Sequence, residues 1–298
     1  MDDLVRDLSP QARVLDLGAG GGSFDYSSTA AKVVAVDLAF SAHCQPSLGR
    51  LIADSGELPL ESASFDVVVC NHTLEHFENL EEAVGEIDRV MRPGAFLWAA
   101  VPDGFTFDDH LYRWVFKGGG HLNQFSLTSF IRALENGTQL RARRCKKLYT
   151  SFIYLKPPPP GRLLHYPRRA RPLGWVPPRL LEAFLRALNL AVRRLDGWFK
   201  RDWSHYGWGV VFERAETQYA SPPTSISQLE WIPSDINVCF SCGAGHPADS
   251  LIPRLERFLF WKVYRCSCGK RNFFFADQET GAASDADRKE SSNSAQLS

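Results

Sequence analysis

No stretch of this 298-residue chain approaches the ~18 consecutive apolar residues that a spanning helix needs, which argues against a transmembrane segment. The start, Met1-Asp2-Asp3-Leu4, is acidic and lacks the apolar core of a secretory signal, so a reducing, cytoplasmic setting is expected. There is no internal repeat. Net charge is also missing, because 34 Lys and Arg balance 34 Asp and Glu. Seven cysteines are too few and too unevenly placed for a disulfide framework. Cys44, Cys70 and Cys145 stand alone, while Cys239, Cys242, Cys266 and Cys268 cluster late in the chain. What is present is ordinary for a globular protein: 44% hydrophobic and 23% charged residues exclude a fibrous, collagenous or largely disordered chain. At about 150 residues per domain, the length suggests about two domains.

The zero net charge is a sum of unlike parts. Residues 1–140 hold 9 basic and 20 acidic side chains, residues 141–201 hold 16 and 2, and residues 202–298 hold 9 and 12. The basic excess in the middle is too lopsided for a routine solvated face.

From Arg13 onward, short apolar runs alternate with helix-like segments. Val14–Leu17 runs into Gly18-Ala19-Gly20-Gly21-Gly22, Val33–Val36 ends at Asp37, Phe65–Cys70 ends at Asn71, and Ala95–Val101 ends at Pro102-Asp103. Continuous apolar strands bounded by turn residues and separated by helices predict a parallel sheet covered on both faces. Leu80 to Met91 reads as an intervening helix stopped by Arg92-Pro93-Gly94, and Ser129 to Glu135 as a shorter one. A strand through Tyr154, a helix from Pro178 to about Phe199 and a last strand from His205 to Glu213 follow. The long helix carries the apolar stripe Leu181, Phe184, Leu185, Leu188, Val192, Leu195 and Phe199. The expected fold is α/β, a doubly wound, mostly parallel, seven-stranded Rossmann-like sheet. Its domain spans 1–215, with a basic helical insert over about 155–203. A linker (216–233), a small zinc-ribbon-like module (234–277) and a disordered tail (278–298) complete the chain.

The glycine-rich turn after a strand, opening a helix, makes a nucleotide-type pocket, since glycine lets the backbone approach a ligand closely. A dinucleotide fingerprint would want glycines at 18, 20 and 23, and position 23 is Ser, which counts against a nicotinamide cofactor. Asp37 ends the second apolar run, where a carboxylate accepts hydrogen bonds from both hydroxyls of a ribose. The ordered series V-L-D-L-G-A-G-G-G, V-V-A-V-D, A-D-S-G-E-L-P-L, S-F-D-V-V-V-C-N-H-T-L-E-H and R-P-G-A-F-L resembles class I S-adenosylmethionine-dependent methyltransferases. The branch that includes the quinone-biosynthesis enzymes is the most similar. Ordered motifs cover residues 12 to 103.

That resemblance implies S-adenosyl-L-methionine as cofactor. Asp16, Gly18 and Gly20 would surround its methionine part, Asp37 its ribose, Asp54 and Ser55 its adenine, with Asn71 and His72 lining it further. Methyl transfer is an in-line displacement that needs a general base only where the acceptor holds a proton. Candidates near the strand ends are His72, Glu75, His76, Asp103, His110 and His121. His76, placed at a helix start, and His121, after a triple glycine, are the two proton-transfer candidates, with structural capping and a simple loop as the bland alternatives.

For the basic insert three readings stand. It caps the active site, it lies on anionic lipid through Trp175, Trp198, Phe199 and Trp203, or, ranked third, it contacts nucleic acid. Cys239-Phe-Ser-Cys242 and Cys266-Ser-Cys268 are two knuckles 23 residues apart, the pattern of a ribbon-type structural zinc site. His246 is an outside candidate for a fourth ligand. The leading expectation is a methyltransferase acting on an unidentified small-molecule or lipid-linked acceptor, anionic or membrane-associated, with capping of the active site ranked first for the insert and peripheral membrane contact second. Its rival is a drifted binding protein that uses the insert and ribbon as a platform. Oligomeric state is not legible.

Overall fold

The structure, a computed structural model, describes residues 1–40, 45–117, 120–150, 152–156, 169–199, 203–216 and 224–276. Cys44, most of the proline-rich stretch and the tail from 277 lie outside the described residues. The chain forms two compact units, one of residues 1–102, 120–145 and 208–231, the other of residues 103–119, 146–207 and 232–298.

The central sheet has eight strands rather than seven. They are β1 (Arg13–Leu17), β2 (Lys32–Asp37), β3 (Gly49–Ile52), β4 (Phe65–Asn71), β5 (Met91–Pro102), β6 (Leu140–Tyr149), β7 (His205–Arg214) and β8 (Glu230–Trp231), in the order β3-β2-β1-β4-β5-β7-β6-β8. The extra strand β8 is two residues long and pairs in parallel with Arg144 and Cys145 at the sheet edge, too short to show any period. Strands β3, β2, β1, β4 and β5 run parallel. Val14, Leu15, Val68 and Val69 are fully buried in the middle of the sheet, as expected of strands covered on both faces.

Two connections depart from the expected alternation. The glycine turn does not open a helix: between β1 and β2 only the single 3₁₀ turn Tyr26–Ser28 forms. The segment Gly21–Ala31 is rich in Gly, Ser and Thr and has no helical period to bury. The predicted stop Arg92-Pro93-Gly94 lies inside β5 rather than in a loop, because the register shifts between Phe65 and Val67 and lets the strand begin at Met91.

Among the helices, α1 (Asp2–Arg6) is a single turn, and α2 (Leu80–Val90) buries Ala83, Val84, Ile87 and Val90 on the core. α3 (Phe107–Phe116) belongs to the second unit. α4 (Leu127–Glu135) is capped by Ser126, whose hydroxyl accepts from the Ser129 amide at 3.2 Å. α5 spans Pro178–Phe199, and its buried face is Leu181, Leu185, Asn189, Val192, Arg193 and Asp196. Phe184 and Phe199 are exposed instead, because the stripe turns toward two partners rather than one. Leu181, Leu185 and Val192 pack with Val115, Phe152, Leu155 and Ala170, while Arg193 faces the C-terminal module. That module comprises β9 (Asn237–Val238), β10 (Gly245–His246), the turn α6 (Ala248–Leu251), β11 (Glu256–Phe258), β12 (Trp261–Arg265) and β13 (Arg271–Phe273). No described helix is long and apolar enough to cross a membrane.

Of the stretch read as a linker, residues 217–223 lie outside the described residues. Leu229 is buried in the core of the first unit, and the Thr224 hydroxyl donates to Glu135 at 2.6 Å.

One buried acid of α3 gives a testable pH dependence. Asp108 accepts from the Tyr154 hydroxyl at 3.0 Å, and burial pushes its carboxyl up to about 6 against hydrogen bonds from Thr150 and Tyr154. The unfolded chain loses this proton near 3.8 and the native state only near 6, so the group's contribution to stability falls as pH rises across that window. Asp108→Asn is expected to raise the urea midpoint at pH 7.5 and to flatten the decline between about pH 4 and pH 6.

Candidate functional site

The site is built at the carboxyl ends of β1, β2 and β4. Asp16 pairs in register with Ala35 on one side and Val69 on the other, which places Asp16, Asp37 and Asn71 along one edge of the sheet. With no helix to order it, the loop after β1 is held by side chains. Asp16 is fully buried, and its carboxylate accepts from the Ser23 amide at 2.8 Å, the Ser23 hydroxyl at 2.6 Å and the Tyr26 hydroxyl at 2.6 Å. Burial raises its carboxyl above the ordinary range, and these three donors oppose that rise. Asp16 therefore grips the loop itself. Ser23 and Tyr26 were not foreseen, since neither belongs to the glycine series.

The loop returns to β2 through Asp37. Gly20 N–H donates to Asp37 Oδ2 at 2.7 Å and Ala39 N–H to Oδ1 at 3.0 Å, leaving each oxygen a lone pair for a further donor. Gly18 adopts a φ of +73°, and a Cβ there would lie 2.0 Å from Thr73 Cγ2. Gly20 has a φ of +54° but open space around it. Beyond β4, His72 also has a positive φ, +55°, and its N–H is held by the Ala100 carbonyl at 2.9 Å. A non-glycine residue held there is the kind of strain that gathers at functional sites.

Asp54 and Ser55 follow β3 closely, two and three residues past Ile52, which pairs with Asp37. Asp54 is exposed, and its Oδ1 accepts from the Gly56 amide at 2.8 Å. Glu86 and Arg89 of α2 hold the rest of that loop, through Leu58 N–H at 2.8 Å and the carbonyls of Leu58 and Leu60 at 3.0 and 2.8 Å.

His76 does not start a helix. It lies in the 3₁₀ turn Leu74–His76, ahead of α2, because the chain extends again at Phe77. Its ring stands 5.0 Å from that of His121. Asp103 and His110 belong to the second unit. Cys70 is fully buried, and burial raises its thiol, with the Asp16 and Glu75 carboxylates adding to that rise.

Residues 15–99 match the family described as a methyltransferase domain. Over that segment the chain is similar to a methyltransferase domain. A malonyl-[acyl-carrier protein] O-methyltransferase of Methylococcus capsulatus is 32% identical over 171 residues, covering 51% of this chain and 62% of that protein. One of Enterobacter lignolyticus is 36% identical over 93 residues, 29% of this chain and 37% of that protein. The chain thus spans less than two thirds of the length of each of these relatives. Similar solved structures include a methyltransferase of Archaeoglobus fulgidus, with a TM-score of 0.44 and 16% identity over 68% of this chain and 86% of that one. Another is a geranyl diphosphate C-methyltransferase of Streptomyces coelicolor, with a TM-score of 0.46 and 12% identity over 72% and 77%.

Outside the matched segment, the four clustered cysteines converge in the second unit. Cys239 and Cys268 sulfurs are 3.6 Å apart, as are those of Cys242 and Cys266, and all four fall within 4.8 Å of one another. Tetrahedral zinc with ~2.3 Å bonds sets sulfurs ~3.8 Å apart, so the set fits that ion. Gly243 and Gly269 turn each knuckle at φ of +79° and +81°. The Ser241 amide and the Asn272 side-chain amide each donate to the Cys239 sulfur at 3.4 Å. Burial opposes ionisation of Cys239, but amide donors at Cys242 and Ser241, together with the Cys268 and Cys242 side chains, bring the thiol down to about 7. His246 sits against Cys266, Nε2 to Sγ 3.4 Å, as a hydrogen-bond partner to the sulfur.

The basic helix is tied to this module. Arg193 donates to the Ile236 carbonyl at 3.0 Å, and Arg194 lies over Trp261 at 4.5 Å. Ser241 donates to Glu182 at 3.0 Å, and Lys146 pairs with Asp235 at 2.6 Å.

Two glycines of the loop after β1 separate space from backbone strain. Gly18→Ala is expected to destabilise by ~3 kcal/mol or more, from overpacking on Thr73 added to the left-handed backbone. Gly20→Ala, which has only the backbone term, should cost ~1–2 kcal/mol in urea unfolding.

Proposed function

We propose that this chain transfers a methyl group from S-adenosyl-L-methionine to an acceptor that carries an acidic group. The observation that carries the reading is the glycine loop stitched by Gly20 to Asp37, at the carboxyl ends of parallel strands. In that arrangement the free lone pairs of Asp37 accept the ribose hydroxyls. Gly18 and Gly20 let the loop backbone lie against the methionine part, Asp54 and Ser55 face the adenine, and Asn71 with His72 close the pocket. The bound sulfonium supplies an electrophilic methyl and a neutral leaving group.

The curated relatives are named for action on malonyl-acyl-carrier protein, which supports an acceptor bearing a carboxylate. A carboxylate arrives ionised at neutral pH, so its oxygen attacks without giving up a proton, and the chain need only position donor and acceptor. On this reading neither His76 nor His121 is required as a base.

The ribbon is proposed to hold one structural zinc through Cys239, Cys242, Cys266 and Cys268, and so to order the module against α5. Protein purified without chelator should contain one tightly held zinc per chain, and Cys239→Ser should lose it; zinc-free protein with an unchanged melting curve would refute the site.

Calorimetry with S-adenosylmethionine and S-adenosylhomocysteine tests the cofactor. Saturable binding is expected, weakened roughly tenfold or more in Asp37→Ala, equivalent to ~1.4 kcal/mol. Absence of binding to either compound at millimolar concentration would overturn the enzyme reading in favour of a drifted binding protein.

A further inference from the structure

We propose that Glu75, His76 and His121 form a second metal site, distinct from the cysteine ribbon, that takes a divalent first-row cation of the iron-to-zinc series. One ligand atom from each of the three lies within 4.8 Å of the others. All three belong to the first unit. The Glu75 side chain is only 1% exposed, and its Oε2 has no hydrogen-bond partner among the described residues. A buried carboxylate oxygen left unpaired is costly, and a cation in the cluster would satisfy it.

The two histidines are set as ligands are set. His76 Nδ1 lies 2.9 Å from the Gly120 carbonyl. A carbonyl oxygen can only accept, so Nδ1 carries the proton and Nε2 keeps its lone pair, 4.0 Å from Glu75 Oε1. A ligating imidazole fixed by its other N–H on a backbone carbonyl is the common outer-shell arrangement of metal sites. Gly120 has a φ of +76°, and a Cβ there would come within 3.3 Å of that same nitrogen, so glycine is what lets the carbonyl reach it.

His121 is delivered by backbone bonds rather than by sequence neighbours. Leu122 and Asn123 amides both donate to the Glu75 carbonyl, at 2.8 and 3.0 Å. The Asn123 side chain donates to the carbonyls of Leu74 and Phe77, at 3.1 and 2.8 Å. The turn that carries Glu75 and His76 and the segment that carries His121 are therefore clamped together on both sides of the cluster. A cation with bonds of ~2.1 Å would draw the donors to ~3.0–3.4 Å. Rotation of half-buried His121, with His76 pivoting about its Nδ1 bond to Gly120, supplies that contraction. Two imidazoles and one carboxylate leave open coordination positions, the pattern of non-haem iron and related sites. His72, whose Nδ1 is 3.6 Å from Glu75 Oε1, stands beside the cluster. The donor set is oxygen and nitrogen, unlike the four sulfurs of the ribbon, and its existence does not depend on methyl transfer.

The test is cobalt titration of the intact chain as isolated, with its cysteines loaded with zinc, followed by calorimetry and visible absorption. One Co²⁺ per chain is expected, with weak d–d bands and no thiolate charge-transfer band. His76→Ala and His121→Ala should each weaken binding tenfold or more, with zinc content and melting curve unchanged. His110→Ala, in the other unit, should leave it unchanged. No cobalt uptake, uptake with only thiolate charge-transfer bands, or uptake that survives either cluster variant would overturn the proposal. S-adenosylmethionine binding is read separately, so loss of one result leaves the other standing.

Discussion

A buried carboxylate sets the shape of the sheet edge at the ends of β1 and β2. Asp16, next to last in β1, has no solvent access, and a charged oxygen pair there is tolerated only with full hydrogen bonding. The chain answers by folding the following loop back so that Ser23 and Tyr26 reach it. That fold-back brings Gly20 under Asp37, whose other oxygen is held by Ala39. A helix after β1 would have carried its own order through its backbone ladder. Here two acids and a few donors provide it, so the positions of Gly18 and Gly20 depend on side chains that a helix-based loop would not need.

A different balance governs the second unit. The sequence places 16 basic residues within 141–201, a density that suggests an external anionic partner. Several of these charges have internal work. Arg193 is buried between the Ile236 carbonyl and the faces of Tyr149 and Phe275, at 4.3 and 5.5 Å. Arg194 covers Trp261, and Arg186 bonds Glu182 at 3.3 Å while that same acid accepts from Ser241. Guanidinium suits this role because its flat face stacks on aromatics while its edge donates. The long helix thus holds the cysteine module through cations, and a small ribbon with little core of its own gains partners from α5.

Legibility follows from which physical signal each element carries. β1, β2 and β4 are continuous apolar runs, buried on both faces, and could be read to within a residue or two. β3 alternates half-buried and exposed residues over four positions at the sheet edge, too short and too polar to stand out. α3 was invisible for the opposite reason: it buries Asp108 and Asp109 while Phe107 and Trp114 are exposed, which inverts the pattern that marks an amphipathic helix. The cysteine knuckles were legible because ligand chemistry fixes residue type and spacing together. The placement of Asp16, Asp37 and Asn71 at the strand ends was legible as a series, yet Asp16's grip on Ser23 and Tyr26 was not, since it depends on a missing helix.

The same contrast explains why His76 and His121 could be named as candidates without their relation being seen. They are separated by more than forty residues, and what joins them is main-chain bonding: two amides on the Glu75 carbonyl and a glycine carbonyl on an imidazole. Backbone bonds of this kind leave almost no trace in side-chain identity, apart from Gly120. Once they are in place, the chemistry of the cluster changes meaning. A lone histidine at a strand end reads as a general base, but two imidazoles clamped beside a buried carboxylate with an unpaired oxygen are a donor set. An acceptor that arrives as an anion needs no base, and it is also the kind of ligand that an open coordination position would attract.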